Sequence, residues 1–205
     1  RMRVLEYGRK QRKTLLFLPC TAEPEWAFTA SVTLLAQDYH VMQIVYDGHG
    51  GTDEDFLSVE HTVDEVTDWL CGHGITALDA AYGCSLGGAC LTRLLALGEI
   101  RVERAIIDGG ITPYQLPLPK APAQTPCRLI YWYGDEEKKA RRGNIRFIKR
   151  YFPHARTRGI PKVGHAELVM LHPQEFYRRV TEYLTHVPCF GRQESAPPVT
   201  QGEKN

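Results

Sequence analysis

Short runs of apolar residues alternate with longer amphipathic stretches along most of the chain. A short apolar run is typical of a buried strand, whereas apolar residues spaced by three and four are typical of a helix that packs on a sheet. The pattern therefore predicts an α/β protein with a mostly parallel central sheet and helices on both faces. The predicted strands are Val4–Tyr7, Thr14–Leu18, Val41–Tyr46, Ala77–Tyr82, Arg104–Ile107, Arg128–Tyr133 and Ala155–Ile160.

The predicted helices lie between these strands. The clearest covers Asp55–Cys71, where five apolar residues recur at alternating spacings of three and four. The last helix begins at Pro173, because proline is favoured at the first helical position, and continues to Val187. The other predicted helices are Glu25–Gln37, Leu86–Leu97 and Glu137–Tyr151.

Two segments interrupt the alternation. Thr112–Pro126 contains five prolines, which predicts an irregular crossing without a helix. From Pro188 onward the chain is polar, and Pro197 and Pro198 are adjacent, which predicts a disordered tail over residues 188–205. Residues 1–187 are then expected to form a single domain.

The composition of the chain limits which binding partners and which cellular compartment are expected. The chain has 25 Lys and Arg against 24 Asp and Glu, so no global field attracts nucleic acid or an acidic membrane surface. The basic run Lys138–Arg142 falls on a predicted helix and is interpreted as its solvated face. Six scattered cysteines without a C-x-x-C pair argue against a zinc site or a disulfide framework and favour the reducing cytoplasm. No apolar run is long enough to span a bilayer.

The strongest motif is Gly83-Cys84-Ser85-Leu86-Gly87, which has the pattern G-x-S-x-G at a predicted junction between strand and helix. In a nucleophile elbow such a serine occupies a strained turn that presents its hydroxyl, and the flanking glycines allow the strand and the helix to approach closely. The strand before the motif and the helix after it match that arrangement. Ser85 is therefore the candidate nucleophile.

A serine hydroxyl is a weak nucleophile at neutral pH, so the elbow predicts a histidine that accepts its proton and a carboxylate that orients the histidine. These are expected in the chain order serine, acid, histidine. His165 follows the last predicted strand and precedes the C-terminal helices, which is the expected place of the base. Most of the other seven histidines lie in predicted helices or turns, as surface histidines do: His40, His49, His61, His73, His154, His172 and His186.

With these features the chain resembles a small, nearly capless α/β-hydrolase over residues 14–187. Such proteins are mostly esterases, lipases, thioesterases and related acyl hydrolases, so the resemblance implies that fold and a serine hydrolase. The segments that carry it are the elbow, Asp47-Gly48-His49-Gly50 after an inner strand, Tyr133-Gly134 after a late strand, and Gly164-His165 before the last helices.

The resemblance also implies where the triad acid lies. The family pattern G-x-x-D or G-x-x-E maps onto Gly134 and Glu137, which makes Glu137 the first candidate. Asp108 ends the preceding strand, a position that some lipase relatives use, and Asp135 directly follows Gly134. Each acid has a structural alternative, since carboxylates also stabilise helix N-termini and loops. The acid is therefore expected at Glu137, with Asp108 and then Asp135 as alternatives.

Acyl transfer needs two backbone N–H groups that stabilise the oxyanion. The resemblance implies Leu86 as one donor and Thr21, in the loop Pro19-Cys20-Thr21, as the other. Relatives usually carry glycine where this chain has Cys20, which implies an altered oxyanion hole. The proline-rich segment replaces a helical lid, which implies an open and shallow site. Its expected rim is Trp26, His49, Tyr114 and Leu116.

The sequence thus predicts a hydrolase that cleaves small-molecule carboxylic esters or thioesters through an acyl-enzyme on Ser85, with no cofactor and no metal. Two alternatives use the same residues. One is a non-catalytic receptor or scaffold of this fold, which Cys20 and the undecided acid favour. The other is a lyase or haloperoxidase with the same triad, because fold and triad do not fix the reaction. No motif identifies the acyl group or the oligomeric state.

Overall fold

A computed structural model describes residues 1–21, 24–51, 54–110, 116–119 and 125–185. Its centre is a seven-stranded sheet in the order β1-β3-β2-β4-β5-β6-β7. β1 is antiparallel to β3, and the remaining neighbours are parallel, which confirms the predicted mostly parallel sheet. The strands are β1 (Arg3–Tyr7), β2 (Thr14–Leu18), β3 (His40–Val45), β4 (Ala77–Cys84), β5 (Arg101–Asp108), β6 (Arg128–Gly134) and β7 (Arg156–Ile160).

Helices cover both faces of this sheet, as predicted. One core layer contains buried residues of α2, α3 and α4, and the other contains those of α1, α5 and α6. The helices are α1 (Thr29–Leu35), α2 (Val59–Gly72), α3 (Leu86–Leu97), α4 (Lys138–Tyr151), α5 (Glu167–Leu171) and α6 (Pro173–Thr185).

The inner strands have continuous apolar sequences because both of their faces are buried. In β2, Leu16 and Leu18 belong to the core layer of α2, α3 and α4, whereas Leu15 and Phe17 belong to the opposite layer. All four side chains are almost fully buried. β2 and β4, whose ends carry the candidate site, are thus interior strands of the sheet.

Several predicted boundaries differ from the structure for local reasons. The helix predicted from Asp55 begins at Val59, because the Ser58 side chain accepts a hydrogen bond from the His61 N–H at 3.1 Å and caps the helix there. The helix predicted over Glu25–Gln37 is divided into a 3-10 turn at Glu25–Phe28 and α1. The sequence pattern gives no bounds for the short helix α5, which lies between β7 and α6.

Some expectations fall partly or wholly outside the described residues. The predicted tail from Pro188 lies there, and so does the rim residue Tyr114. Between β5 and β6, the described parts of the chain, 109–110, 116–119 and 125–127, contain no helix or strand. No helix among the described residues is long and apolar enough to cross a membrane.

Candidate active site

Ser85 lies at the turn between β4 and α3, with φ 53° and ψ −113°. A residue other than glycine rarely adopts a positive φ, and such strain concentrates at functional sites. The Ser85 N–H donates to the carbonyl of Asp108 at 3.1 Å, which ties the turn to the end of β5. The nucleophile elbow inferred from the motif therefore has the expected backbone conformation.

The two outer glycines of the motif are required by close packing. A Cβ at Gly83 would lie 2.4 Å from the carbonyl oxygen of Gly87, and a Cβ at Gly87 would lie 2.0 Å from that of Leu18. Both obstacles are backbone atoms, which a rotamer change cannot move. The ends of β2 and β4 thus approach the start of α3 so closely that no side chain fits between them.

His165 and Glu137 are in contact. The Nδ1 atom of His165 lies 2.8 Å from Oε1 of Glu137, whose side chain is 5% exposed. The N–H of Gly134 donates to Oε2 of the same carboxylate at 3.2 Å. A carboxylate in this position makes Nδ1 the protonated nitrogen and leaves Nε2 free to accept a proton.

The contact exists because two loops pack against each other above β6. A Cβ at Gly134 would lie 2.2 Å from the carbonyl oxygen of Val163, and the N–H of Glu136 donates to that oxygen at 3.2 Å. Gly109, at φ +55°, lies beneath both side chains, since a Cβ there would be 3.1 Å from Nδ1 of His165. Because Gly134 has no side chain, the loop that carries His165 can approach the end of β6 closely enough for the ring to reach Glu137.

Arg141 is a member of the site that the sequence analysis missed. Its Nε atom lies 3.0 Å from Oε1 of Glu137, and its side chain is largely buried. The interpretation of the run Lys138–Arg142 as a solvated helix face is wrong for Arg141, whose side chain is only 15% exposed. The available signal was the spacing of four residues from Glu137, which places the two side chains on the same face of a helix.

The alternative acids occupy other environments. Asp108 is 4% exposed and accepts a hydrogen bond from the Tyr82 hydroxyl. Burial raises the pKa of Asp108 to about 6, although the Tyr82 hydrogen bond opposes that rise. Asp135 is exposed and lies beside Gly159 of β7. Within the described part of the chain, neither carboxylate hydrogen-bonds to His165.

The two expected oxyanion donors lie at the ends of neighbouring elements. Leu86 is the first residue of α3, and Thr21 follows β2. His49 Nδ1 lies 3.1 Å from the carbonyl oxygen of Asp47, so it carries the proton, and the Thr21 hydroxyl donates to Nε2 at 3.2 Å. The Tyr46 hydroxyl donates to the carbonyl of Pro19 at 2.8 Å. Tyr46 and His49, which follow β3, thus fix the position of the loop that contains Thr21.

The Cys20 side chain lies in the core beneath this loop. It is 5% exposed, and its Sγ lies 2.9 Å from Sγ of Cys84, the residue before the nucleophile. Both thiols belong to the core layer of α1, α5 and α6. Both cysteines are therefore small buried side chains of the core.

Comparison with known proteins adds to this geometry. No protein-family model and no curated protein matches the chain. A protein assigned to the α/β-hydrolase family from Desulfitobacterium hafniense aligns with a TM-score of 0.73 and 17% identity, over 90% of this chain and all of that one. The chain has the α/β-hydrolase fold. The chain is also similar to an esterase from a marine microorganism, with a TM-score of 0.74 and 13% identity over 89% of this chain and 98% of that one. A carboxylesterase from Bacillus subtilis aligns with a TM-score of 0.69 and 12% identity, over 90% of this chain and 87% of that one.

At such identities the likeness of this chain to solved structures establishes the α/β-hydrolase fold and leaves the reaction open. The elbow, the acid and the histidine loop follow β4, β6 and β7, so they lie at one edge of the sheet. Among the described residues, no hydrogen bond joins the Ser85 hydroxyl to His165, whose side chain is 38% exposed. Of the expected rim residues, Trp26 is strongly exposed, whereas Leu116 packs partly into the core.

One group of described residues has the composition of a metal site. Atoms of Asp47, His61 and Glu65 lie within 4.8 Å of one another, at the end of β3 and on α2. Burial raises the pKa of Glu65, and the neighbouring Asp47 carboxylate raises it further. Within the described residues, no hydrogen bond or ion pair joins these three side chains to Ser85, His165 or Glu137.

Proposed function

We propose that this α/β-hydrolase is a serine hydrolase that cleaves carboxylic esters or thioesters of small molecules. The observation that supports this most strongly is the 2.8 Å contact between His165 and Glu137, on loops that follow neighbouring strands beside the Ser85 elbow. This combination supplies a nucleophile, a base and a group that orients the base.

In the proposed reaction, Ser85 Oγ attacks the carbonyl carbon while its proton moves to Nε2 of His165. Glu137 stabilises the resulting imidazolium through Nδ1, and the N–H groups of Leu86 and Thr21 stabilise the oxyanion. The intermediate collapses, and the leaving alcohol or thiol takes the proton from His165. Water then attacks the acyl-enzyme with His165 again as the base, which releases the carboxylic acid and restores Ser85.

The proton transfer requires the exposed His165 ring to approach the Ser85 hydroxyl when substrate binds. Catalytic hydrogen bonds are often long in proteins without substrate and shorten in the reacting complex. The backbone of the elbow is already fixed by its contacts with Asp108 and with the end of β2. The motion in this proposal is therefore confined to the histidine side chain and its loop.

A fluorophosphonate probe tests the proposal, because it reacts only with an activated serine. The purified protein should be labelled on Ser85 and should hydrolyse p-nitrophenyl acetate and butyrate. S85A should lose the label and up to roughly 10⁶-fold in kcat. A suitable control is S58A, since Ser58 caps α2 and does not contact His165 or Glu137. A folded protein that is neither labelled nor active would favour the receptor or scaffold alternative.

A further inference from the structure

A second concave site lies far from the elbow, between α6 and the part of the sheet formed by β5, β6 and β7. The cleft has a volume of about 620 Å³, which is within the range of small-molecule sites. Five arginines line it, against one glutamate, although the whole chain has a net charge of only +1. The arginines are Arg104, Arg128, Arg156, Arg158 and Arg179.

The pairing of the strands explains why these cations converge. Arg104 of β5 pairs in register with Arg128 of β6. Farther along β6, Arg156 and Arg158 of β7 pair with Ile130 and Trp132. Neighbouring residues on adjacent strands project from the same face of the sheet. Cationic side chains from three consecutive strands therefore share one face.

The end of α6 fixes the wall of the cleft. The Tyr183 hydroxyl donates to the carbonyl of Arg128 at 2.9 Å, and Arg104 donates to the carbonyl of Tyr183 at 3.1 Å. Burial raises the pKa of Tyr183, whereas the nearby Arg104, Arg156 and Arg128 lower it. Several guanidinium groups are thus close enough to act electrostatically on one phenol. The wall and the floor of the cleft are held together by these contacts.

The acidic residues near the cleft neutralise only part of its charge. Glu182, the one acidic residue that lines it, pairs with Arg178 at 3.2 Å. Arg179 pairs with Glu175 at 2.7 Å. Arg156 and Arg158 are exposed, and neither forms an ion pair with another described residue. Like charges on neighbouring strands repel one another, so a bound anion would relieve this repulsion.

We propose that this cleft binds a small soluble polyanion that bears phosphate or carboxylate groups. Guanidinium groups bind both kinds of anion through paired hydrogen bonds, and several cations at one site select a ligand with more than one negative charge. The concave shape favours a compact molecule over a flat lipid surface. At about 3.3 Å per residue, β6 separates Arg128 from Gly134 by roughly 20 Å, so this site is additional to the proposed hydrolytic site.

Calorimetry with pyrophosphate and with citrate as probes tests the proposal on the full chain at low salt. The wild type should bind at least one of them with a dissociation constant below about 1 mM, and binding should weaken as salt is added. R156A/R158A should weaken it by about tenfold or more, because it removes two cations without an ion-pair partner in the described structure. Hydrolysis at Ser85 should be unchanged in this variant.

The matched control is R142A/R146A, which removes the same charge from exposed positions on α4, on the opposite face of the sheet. It should change binding by less than about twofold, and equal thermal stability of both double variants confirms that both are folded. Absence of binding at about 10 mM of either probe, or equal weakening by the two variants, would overturn the proposal. Sedimentation with vesicles containing phosphatidylglycerol would also overturn it if R156A/R158A abolished vesicle binding while neither soluble probe bound.

Discussion

The assignment of the acid gives the sharpest test of the proposed triad, through E137Q compared with D108N. Oε1 of Glu137 lies 2.8 Å from the donor His165 Nδ1, and Oε2 accepts from the Gly134 N–H at 3.2 Å. Arg141 Nε lies 3.0 Å from Oε1 and forms an ion pair without a hydrogen bond. Glutamine replaces one of these acceptors with a donor. In either orientation, the amide NH₂ group therefore faces the N–H of His165 or that of Gly134. The negative charge beside His165 is lost in both.

The size of the effect follows from the orientation of the amide. An amide oxygen that faces His165 preserves the tautomer, and the loss is that of one hydrogen bond to a charged group, about 1.5–3 kcal/mol. At about 1.4 kcal/mol per factor of ten, kcat falls roughly 10- to 10²-fold. An amide nitrogen that faces His165 favours the wrong tautomer, for which the loss approaches 10⁴-fold. D108N should cost less than E137Q in either case, because no hydrogen bond joins Asp108 to His165.

Steady-state hydrolysis of p-nitrophenyl butyrate at pH 8 measures the ranking, with D135N as a control of unchanged fold and nearly unchanged rate. Circular dichroism should show that all three variants are folded. If D108N lowers kcat more than E137Q does, then Asp108 orients His165, and the contact between Glu137 and His165 is not the one used in catalysis. If neither variant changes the rate, then no triad operates.

Three other predictions concern pH and packing. The rate constant kcat/KM should fall in acidic solution, because an imidazole that already carries two protons cannot accept the serine proton; an unchanged kcat/KM in acid would exclude His165 as the base. The pKa of Asp108 is raised from 3.8 to about 6, so its protonation stabilises the fold most below about pH 4, and this stabilisation is lost as the pH rises through about 6. Chemical denaturation should therefore show that the wild type loses about 1–2 kcal/mol more stability than D108N between about pH 5 and 8, and parallel profiles would refute the assignment. G87A should prevent stable folding, since its Cβ would lie 2.0 Å from a backbone oxygen, and a stable G87A would contradict the close packing at the elbow. The control G143A, at an open position of α4, should raise the free energy of unfolding by about 0.5–1 kcal/mol.

The sequence by itself determined the class of fold and two of the candidate residues. Alternating apolar and amphipathic runs fixed the order of strands and helices, because a strand buried on both faces needs a continuous apolar sequence. The G-x-S-x-G motif identified Ser85, because its glycines are required by local backbone contacts that recur wherever this turn forms. The position of His165 followed from the end of the last predicted strand.

The tertiary structure decided what depended on residues distant in the chain. The sequence placed Glu137 ahead of Asp108 and Asp135 as the partner of His165 without excluding either, and only the packing of the histidine loop on Gly134 brought Glu137 within 2.8 Å of the ring. The arginine cleft could not be predicted from the composition, because the chain is nearly neutral and the arginines of the cleft come from three strands and one helix. Local propensities act over a few residues, whereas hydrogen bonds and charge clusters depend on strand register and loop contacts, which form only in the folded chain.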